Sequence, residues 1–463
     1  MNKVKQKCGI AIIVLGIVCV IGGIAHRMSS PDLSSSDDSR DLLTDYHLGL
    51  NFFVFDGAQK SQDASSSLRE MSATETAQDL EGLHADVARQ FTNGDVLWST
   101  VNPKPDVWNW ETTDDVIRTI AKTSEPIVTL FSLQYASPNA PWNTRTTFSK
   151  TMTSEAETYV RTVVRRYKDT VTYWEIGNEM DHWRSEDPND AAVNIAALAE
   201  TKAPANAPKS GFSPAEQGAF LAAVAAIIRT EDSDAVIVMP GMSAINEYTM
   251  NTWLPGIIDG AGKEAFDVVN YHDYGSWDGM QSRIDLLKKT MKTLGIISSP
   301  IWLTETGSTA SSTLTVRTEY PNSPVSQAAD VIRRPLTAFA NGITVTLWHT
   351  YFSSSDERTN RWRAYGLYDA DGNASPAYSV YKTLTDAFPA SSIENISPNA
   401  ETFIMKITSI NSEITYAVWG TSGTWALPPG ITAAYTITDS GLSSSPTSPG
   451  STITLSSTPQ LFR

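Results

Sequence analysis

From Leu48 onward the chain alternates two apolar patterns: short unbroken runs of strand length, and longer stretches whose apolar residues return every three or four positions. The short runs are Leu48 to Phe55, Val96 to Ser99, Ile127 to Phe131, Val171 to Ile176, Val236 to Met239, Val268 to Tyr271, Ile301 to Thr304 and Ile343 to Trp348. Helical periodicity occupies Glu155 to Tyr167, Pro214 to Arg229, Met280 to Leu294 and Val325 to Ala340. The second of these opens on a Ser213-Pro214 start signal, and a last helix spans Ala377 to Phe388. Strands alternating with helices predict a parallel sheet of the α/β class, and eight strands are the number that closes a TIM (β/α)8 barrel. From about Pro389 the pattern changes to short alternating runs, Phe403 to Ile407, Ile414 to Trp419 and Ala433 to Ile437, parted by Gly, Pro and Ser. These predict a small C-terminal β-sandwich, with Ser443 to Ser451 as a surface loop.

A chain of 463 residues has room for a barrel of about 250 to 400 residues and an accessory domain. The expected boundaries are a signal anchor or signal peptide at 1–27, a linker at 28–43, the barrel at 44–388 and the sandwich at 389–463. Lys3, Lys5 and Lys7 precede an uncharged run from Cys8 to Ala25, after which come His26, Arg27 and a Ser/Asp-rich segment. Positive residues ahead of an apolar run near the lower spanning limit of about 17 residues predict export, with the body held at the cell surface by an N-terminal membrane anchor. Cleavage after the small pair Gly23 and Ala25 is the alternative, and would give a secreted protein.

Charge and cysteine content narrow the chemistry. Against 35 Lys and Arg stand 51 Asp and Glu, a formal net charge of −16 that repels nucleic acid and excludes it as a partner. Both cysteines, Cys8 and Cys19, lie in the N-terminal segment, so the exported body has neither disulfide nor thiolate chemistry. With no His-Glu-x-x-His pattern among the 6 histidines either, no metal and no cofactor are expected, and a monomer is.

Two strand ends carry the chemistry. Trp174-Glu175-Ile176-Gly177-Asn178-Glu179 closes the fourth run, and Trp302-Leu303-Thr304-Glu305-Thr306-Gly307 closes the seventh. Carboxylates on two different strands are what cleavage of a glycosidic bond requires, because one must protonate the leaving oxygen while the other attacks or activates water. Glu179 and Glu305 are therefore the candidate catalytic pair. Asn178 offers a neutral amide that can hold a sugar hydroxyl without competing for the proton. Glu175 lies within the strand and is read as a buried, paired structural carboxylate.

The two motifs, their order and their places on strands four and seven resemble clan A glycoside hydrolases, the retaining (β/α)8 enzymes that include families 5, 10, 39 and 51, with family 39 nearest in look. The resemblance runs from about Leu48 to Phe388. Trp98-Ser99-Thr100-Val101-Asn102-Pro103 with Trp108-Asn109-Trp110 resembles the passage after the second strand of such proteins, and Gly366-Leu367-Tyr368-Asp369 through Pro376-Ala377-Tyr378 resembles their barrel-closing segment.

This resemblance implies a hydrolase of O-glycosyl bonds acting on polysaccharides or oligosaccharides, with Glu179 as general acid/base, Glu305 as nucleophile and Asn178 donating to the substrate 2-hydroxyl. His272 and Tyr274, in Tyr271-His272-Asp273-Tyr274, match the clan's His-x-Tyr element, which implies that Tyr274 donates to Glu305 and His272 lines the site. Trp348 resembles the aromatic floor beneath the sugar ring. Trp142 and Trp183 are looser candidates for outer subsites; Asp356, Arg358 and Arg361 for binding a charged sugar. Many clan members brace the nucleophile with an arginine near the second strand, but Val96 to Pro103 contains none and Arg89 lies upstream of the strand so read. Two other functions fit the same residues: a carbohydrate-binding surface protein without turnover, and a transglycosylase using the same glutamates.

Overall fold

The computed structural model describes residues 40–52, 73–90, 96, 98–130, 153–182, 213–310, 322–353, 365–369, 372–399, 401–421, 423–446 and 451–463. The expected anchor, most of the linker, and Trp142, Trp183, Asp356, Arg358 and Arg361 lie outside the described residues. Among the described residues no helix is long and apolar enough to cross a membrane.

Eight parallel strands form the central sheet: β1 His47–Phe52, β2 Val87–Gln90, β3 Glu125–Leu130, β4 Tyr173–Ile176, β5 Val236–Val238, β6 Val269–Asp273, β7 Ile301–Thr306 and β8 Val345–His349. Their order is β5-β4-β3-β2-β1-β8-β7-β6. Parallel bridges Val238↔Val268 and Met242↔Tyr271 then join the two edges, closing the ring. Helices including Ser154–Tyr167, Pro214–Glu231, Met280–Thr293, Pro324–Ala340 and Pro376–Thr385 follow the strands, as the periodicity predicts. Ser213 starts its helix with a full capping box, bonding the Glu216 amide and receiving the Glu216 carboxylate on its own, a device that contributes about 1 kcal/mol.

The second strand is the one misplaced by the sequence reading. Val96 to Ser99 does not form a strand; Trp98–Val101 is a short helix, with Val96, Trp98 and Val101 packed into the layer outside the barrel. β2 lies at Val87–Gln90 instead, and the second of its inward side chains, after Val87, is Arg89, which breaks the apolar run that identifies the other strands.

Strand side chains alternate between the two faces of the sheet, and this sets the layers. Val87, Ile127, Tyr173, Val236, Val238, Val268, Trp302, Val345 and Leu347 fill the barrel interior with an apolar plug. Towards the carboxyl ends the inward positions turn polar: Asn51, Arg89, Thr129, Glu175, Asn270 and Thr304 are all buried there. The intervening residues, such as Trp174, Ile176 and Leu303, face the helices.

Beyond the barrel, β9 Ala390–Asn395, β10 Thr402–Ser409, β11 Ile414–Gly420, β13 Ala433–Thr438, β14 Gly441–Pro446 and β16 Gln460–Phe462 make a six-stranded antiparallel sheet. β12 Thr424–Ala426 and β15 Thr452–Thr454 form a separate ribbon. Ser443 therefore begins no surface loop: Ser443 to Ser445 pair with Ala434 to Thr436 in an edge strand. One face of the larger sheet, through Met405, Ile407, Ala417, Trp419 and Leu461, shares a core with the helices Pro324–Ala340 and Pro376–Thr385. Its other face, through Ile404, Tyr416, Val418 and Phe462, packs with Trp425 and Ile453 of the ribbon. Residues Arg40–Arg463 make one compact unit.

Candidate active site

β4 brings Glu175 to the inner face and then changes course. Gly177 takes a φ of 86°, and a β-carbon there would meet the Met180 sulfur at 2.7 Å. Glu179 itself sits at a φ of 46°, a left-handed conformation uncommon for a glutamate. The segment after β5 holds that turn in place: the Glu179 amide donates to the Gly241 carbonyl at 3.0 Å, and the Ser243 amide and hydroxyl both donate to Asp181. The chain thus presents Glu179, 19% exposed, over the mouth of the barrel.

Glu305 reaches the same mouth by another device. Simple alternation after the inward Trp302 and Thr304 would send it outward. Pairing of β7 with β6 shifts register between Tyr271 and His272, so that Tyr271 opposes Leu303 while His272 opposes Glu305. The extra residue re-aims the carboxylate inward, as bulges beside active sites do.

Between the strands lies a buried guanidinium. Arg89 donates from Nη1 to Glu305 Oε1 at 2.8 Å and to Asn51 Oδ1 at 3.1 Å. From Nη2 it donates to Asn178 Oδ1 at 2.6 Å and to Glu175 Oε1 at 3.1 Å, and from Nε to Glu175 Oε2 at 2.6 Å. Glu175 also accepts from Thr129 Oγ1, the Gly241 amide and Asn270 Nδ2. Asn51 turns its own Nδ2 to the Thr304 carbonyl at 2.6 Å, tying β1 to the residue before Glu305. Asn51 and Gly241 join this cluster without any motif to mark them, whereas Arg89, which the sequence places upstream of the expected second strand, stands on β2 itself and braces Glu305.

Tyr274 donates to Glu305 Oε2 at 2.6 Å, and His272 Nδ1 lies 2.8 Å from Glu179 Oε1 and 3.6 Å from Glu305 Oε2. The hydrogen bond between His272 and Glu179 runs either way: an Nδ1–H of His272, neutral or charged, donates to the Glu179 carboxylate, or a protonated Glu179 donates to Nδ1. Burial opposes ionisation of Glu305, but the facing His272, His349 and Arg89 outweigh it and hold the carboxyl below its usual range; of the three, only Arg89 is always charged. Burial likewise disfavours charge on His272, yet Glu305 and the bond to Glu179 overcome it and push the imidazole up. Burial and the Glu305 charge raise the Tyr274 phenol well above its ordinary value, so it remains an O–H donor.

The residues expected from the sequence do not all meet. Glu179, Glu305, Asn178, His272 and Tyr274 converge. Trp348 does not: it is 1% exposed, packs with Leu48, Leu50 and Tyr351 on the helix side of the sheet, and donates from Nε1 to the Tyr365 carbonyl. The inward residue at the end of β8 is His349, whose Nδ1 is 4.0 Å from Glu305 Oε2 and whose ring meets Tyr274 edge-on. The aromatic floor expected at Trp348 is thus one position away from the face that touches the site, and alternation is the reason.

One donor atom each from Glu179, His272 and Glu305 lie within 4.8 Å of one another. Three such groups could share a cation, but Arg89 places a permanent positive charge against Glu305 and competes with one. Two carboxylates at this spacing, one paired with an arginine and a tyrosine and the other with a histidine, can divide the roles of nucleophile and proton donor.

Two family profiles match the chain: the glycosyl hydrolase catalytic core over residues 172–381 and glycosyl hydrolase family 10 over residues 58–193. No curated protein sequence matches it. Among solved structures it is similar to a family 39 glycoside hydrolase from Bacteroides cellulosilyticus WH2 (14% identity, TM-score 0.58, 91% of this chain and 82% of that one). It is also similar to a glucosidase from Croceicoccus marinus (12%, TM-score 0.60, 90% and 95%) and to a monomeric beta-xylosidase from Caulobacter crescentus CB15 (13%, TM-score 0.56, 90% and 95%). At such identities the likeness is one of fold. The matched catalytic core spans both strand-end glutamates, and together the two profiles mark the chain as a glycoside hydrolase.

Proposed function

We propose that this hydrolase is a retaining β-glycosidase that cleaves polysaccharides or oligosaccharides through a covalent glycosyl-enzyme. The observation that carries the reading is the spacing of the glutamates: carboxylate oxygens within 4.8 Å suit double displacement, which needs about 5 to 5.5 Å between the groups, whereas an inverting enzyme leaves about 6.5 to 9.5 Å for a water. Glu305, kept ionised by Arg89 and Tyr274, is the nucleophile. Glu179 protonates the departing oxygen and then, as base, activates the water that resolves the intermediate. His272 holds the Glu179 carboxyl and shares its proton. Asn178 gives its oxygen to Arg89, a group with donors only, so its NH2 points the other way and is the end that meets the sugar 2-hydroxyl.

We further propose an enzyme exported from the cell, held by the anchor or released by cleavage, a reading that the N-terminal lysines and the apolar run behind them support. The C-terminal sheet and its ribbon are read as a β-sandwich accessory domain at 389–463, built onto the barrel through a shared core.

The test is sugar release from a panel of β-linked polysaccharides and aryl β-glycosides, beside Glu305→Gln, with the first-formed anomer identified by NMR. A β-anomer made by the wild type alone supports the reading. An α-anomer formed first overturns retention, and glycan binding without turnover in either protein favours the binding-protein alternative. Product transfer to an added sugar in preference to water would favour a transglycosylase.

A further inference from the structure

Tyr274 is the hydrogen-bond donor that caps Glu305, yet it stands on the connection beyond β6 rather than on a strand, so something must aim it. Both flanking carbonyls are held by one side chain. Arg334, on the helix Pro324–Ala340 and 4% exposed, donates from Nη1 to the Asp273 carbonyl at 3.3 Å and from Nη2 to the Gly275 carbonyl at 2.6 Å. Its Nε faces Asp330 Oδ2 at 3.4 Å, one helical turn back, and the same carboxylate pairs with Arg333 at 2.7 Å. Thr306, next to Glu305, donates its hydroxyl to the same Asp273 carbonyl at 2.8 Å and lies 3.4 Å from Arg334 Nη1. A second arginine secures the loop from the other side: Arg283 binds the Asp273 carboxylate bidentately and the Ser276 carbonyl.

We propose that Arg334 is a positioning residue for the reaction, clamping the backbone on either side of Tyr274 so that its phenol stays on Glu305. The inference rests on the reading of Glu305 as nucleophile. A planar guanidinium suits the task because two of its N–H groups can meet two carbonyls at once; an ammonium is a point charge and cannot span them. Burial sharpens the effect at Gly275, whose carbonyl would lose the Arg334 donor while that of Asp273 kept the Thr306 hydroxyl, so the loop beyond Tyr274 would move to satisfy it. The arrangement also ties the site to the C-terminal region. Arg333, which shares Asp330, lies over the Trp277 ring at 4.9 Å and donates to the Ser457 carbonyl, while Trp277 meets Phe403 and Trp419 of the antiparallel sheet.

The experiment is a double-mutant cycle on the full-length enzyme, pairing Arg334→Gln with Tyr274→Phe and reading kcat and the acid limb of the pH profile on an activated aryl β-glycoside. Losing the Tyr274 bond should lower kcat about tenfold and move the acid limb to higher pH, since a charge-assisted hydrogen bond contributes about 1.5 kcal/mol or more. Arg334→Gln should do the same in the wild-type background and change kcat less than about twofold once Tyr274 is Phe, because coupled residues are not additive. Equal losses in both backgrounds, or an acid limb that stays put, would overturn the proposal. Should the Gln variant not fold, Arg334→Lys carries the same comparison, with a smaller loss expected. Turnover by Glu305→Gln would sink the nucleophile assignment itself, a result separate from any failure of the clamp.

Discussion

Nη1 of Arg89 lies 2.8 Å from Oε1 of Glu305, while Nε and Nη2 of the same guanidinium grip both oxygens of Glu175. One buried cation therefore serves two carboxylates, Glu175 deep in the barrel and Glu305, the proposed nucleophile, at its mouth. Because Glu305 ionises more readily than an ordinary carboxyl, the acid limb of catalysis should lie below the usual carboxylate range, activity falling as pH drops through the depressed pKa of Glu305. Arg89→Met removes the permanent charge that helps depress it, so the acid limb of kcat/KM should move to higher pH. The same variant strands Glu175 and Glu305 without their partner, at a stability cost of about 3 to 5 kcal/mol by denaturant unfolding. The sign agrees: stability drawn from a depressed carboxylate is present above the unfolded-state pKa and is lost as pH falls through the folded one. An unmoved acid limb would show that Arg89 does not tune Glu305.

Glu175→Gln asks whether the other carboxylate on Arg89 is structural. Glu175 accepts from Arg89, Thr129, Gly241 and Asn270, all through buried hydrogen bonds. The amide keeps the shape but turns two hydrogens toward donors and leaves Arg89 one charge short. A loss of about 3 kcal/mol in stability is expected, with turnover below the new melting point largely kept. Loss of rate at unchanged stability would instead make Glu175 catalytic.

Much of this was legible in the sequence because the lower barrel layer is apolar and the strands are short. Every barrel strand but the second shows as a β-branched or apolar run, and both reactive glutamates show at strand ends. The second strand hides because one of its two inward residues is Arg89, and an arginine between Ala88 and Gln90 looks like surface. A finer signal was present. Asn51, Arg89, Glu175 and Asn270 each stand two positions beyond an inward residue, Gly49, Val87, Tyr173 and Val268, so polar groups at period two mark the upper layer. Two features were out of reach of pattern: the bulge that turns Glu305 inward, and the phase of β8, which puts His349 rather than Trp348 in the site.

That phase yields its own prediction. Trp348 is core, so Trp348→Ala should cost about 3 to 5 kcal/mol in unfolding free energy, as large-to-small changes of buried aromatics do. At temperatures where the variant is folded, KM should change little. A KM raised many-fold in a fully folded variant would restore the platform reading.

Gly241 offers a test of the acid's partner. A β-carbon there would sit 2.2 Å from His272 Nε2, and His272 is fully buried, so the ring must shift when Gly241 becomes Ala. The bond most exposed to that shift is His272 to Glu179. About a tenfold fall in kcat/KM is expected on substrates with poor leaving groups, the scale of one charge-assisted hydrogen bond. Gly241→Ala with His272→Ala should relieve the clash and regain melting temperature without regaining rate. Recovery of both would mean that His272 serves packing only.

The division of labour between the glutamates is tested most directly by removing the acid. An activated aryl glycoside has a leaving group that needs no proton, so Glu179→Ala should still form the glycosyl-enzyme at Glu305 on such a substrate while failing on natural glycans. Resolution of that intermediate needs a base, which the variant lacks, and it should therefore accumulate. Azide is small, needs no deprotonation, and can enter the space the side chain vacates. Added azide should restore turnover and give a β-glycosyl azide, since two inversions return the anomeric centre to its starting hand. An α-azide would mean attack on the substrate itself with no covalent step at Glu305, and full activity of Glu179→Ala on natural glycans would remove Glu179 from the acid role.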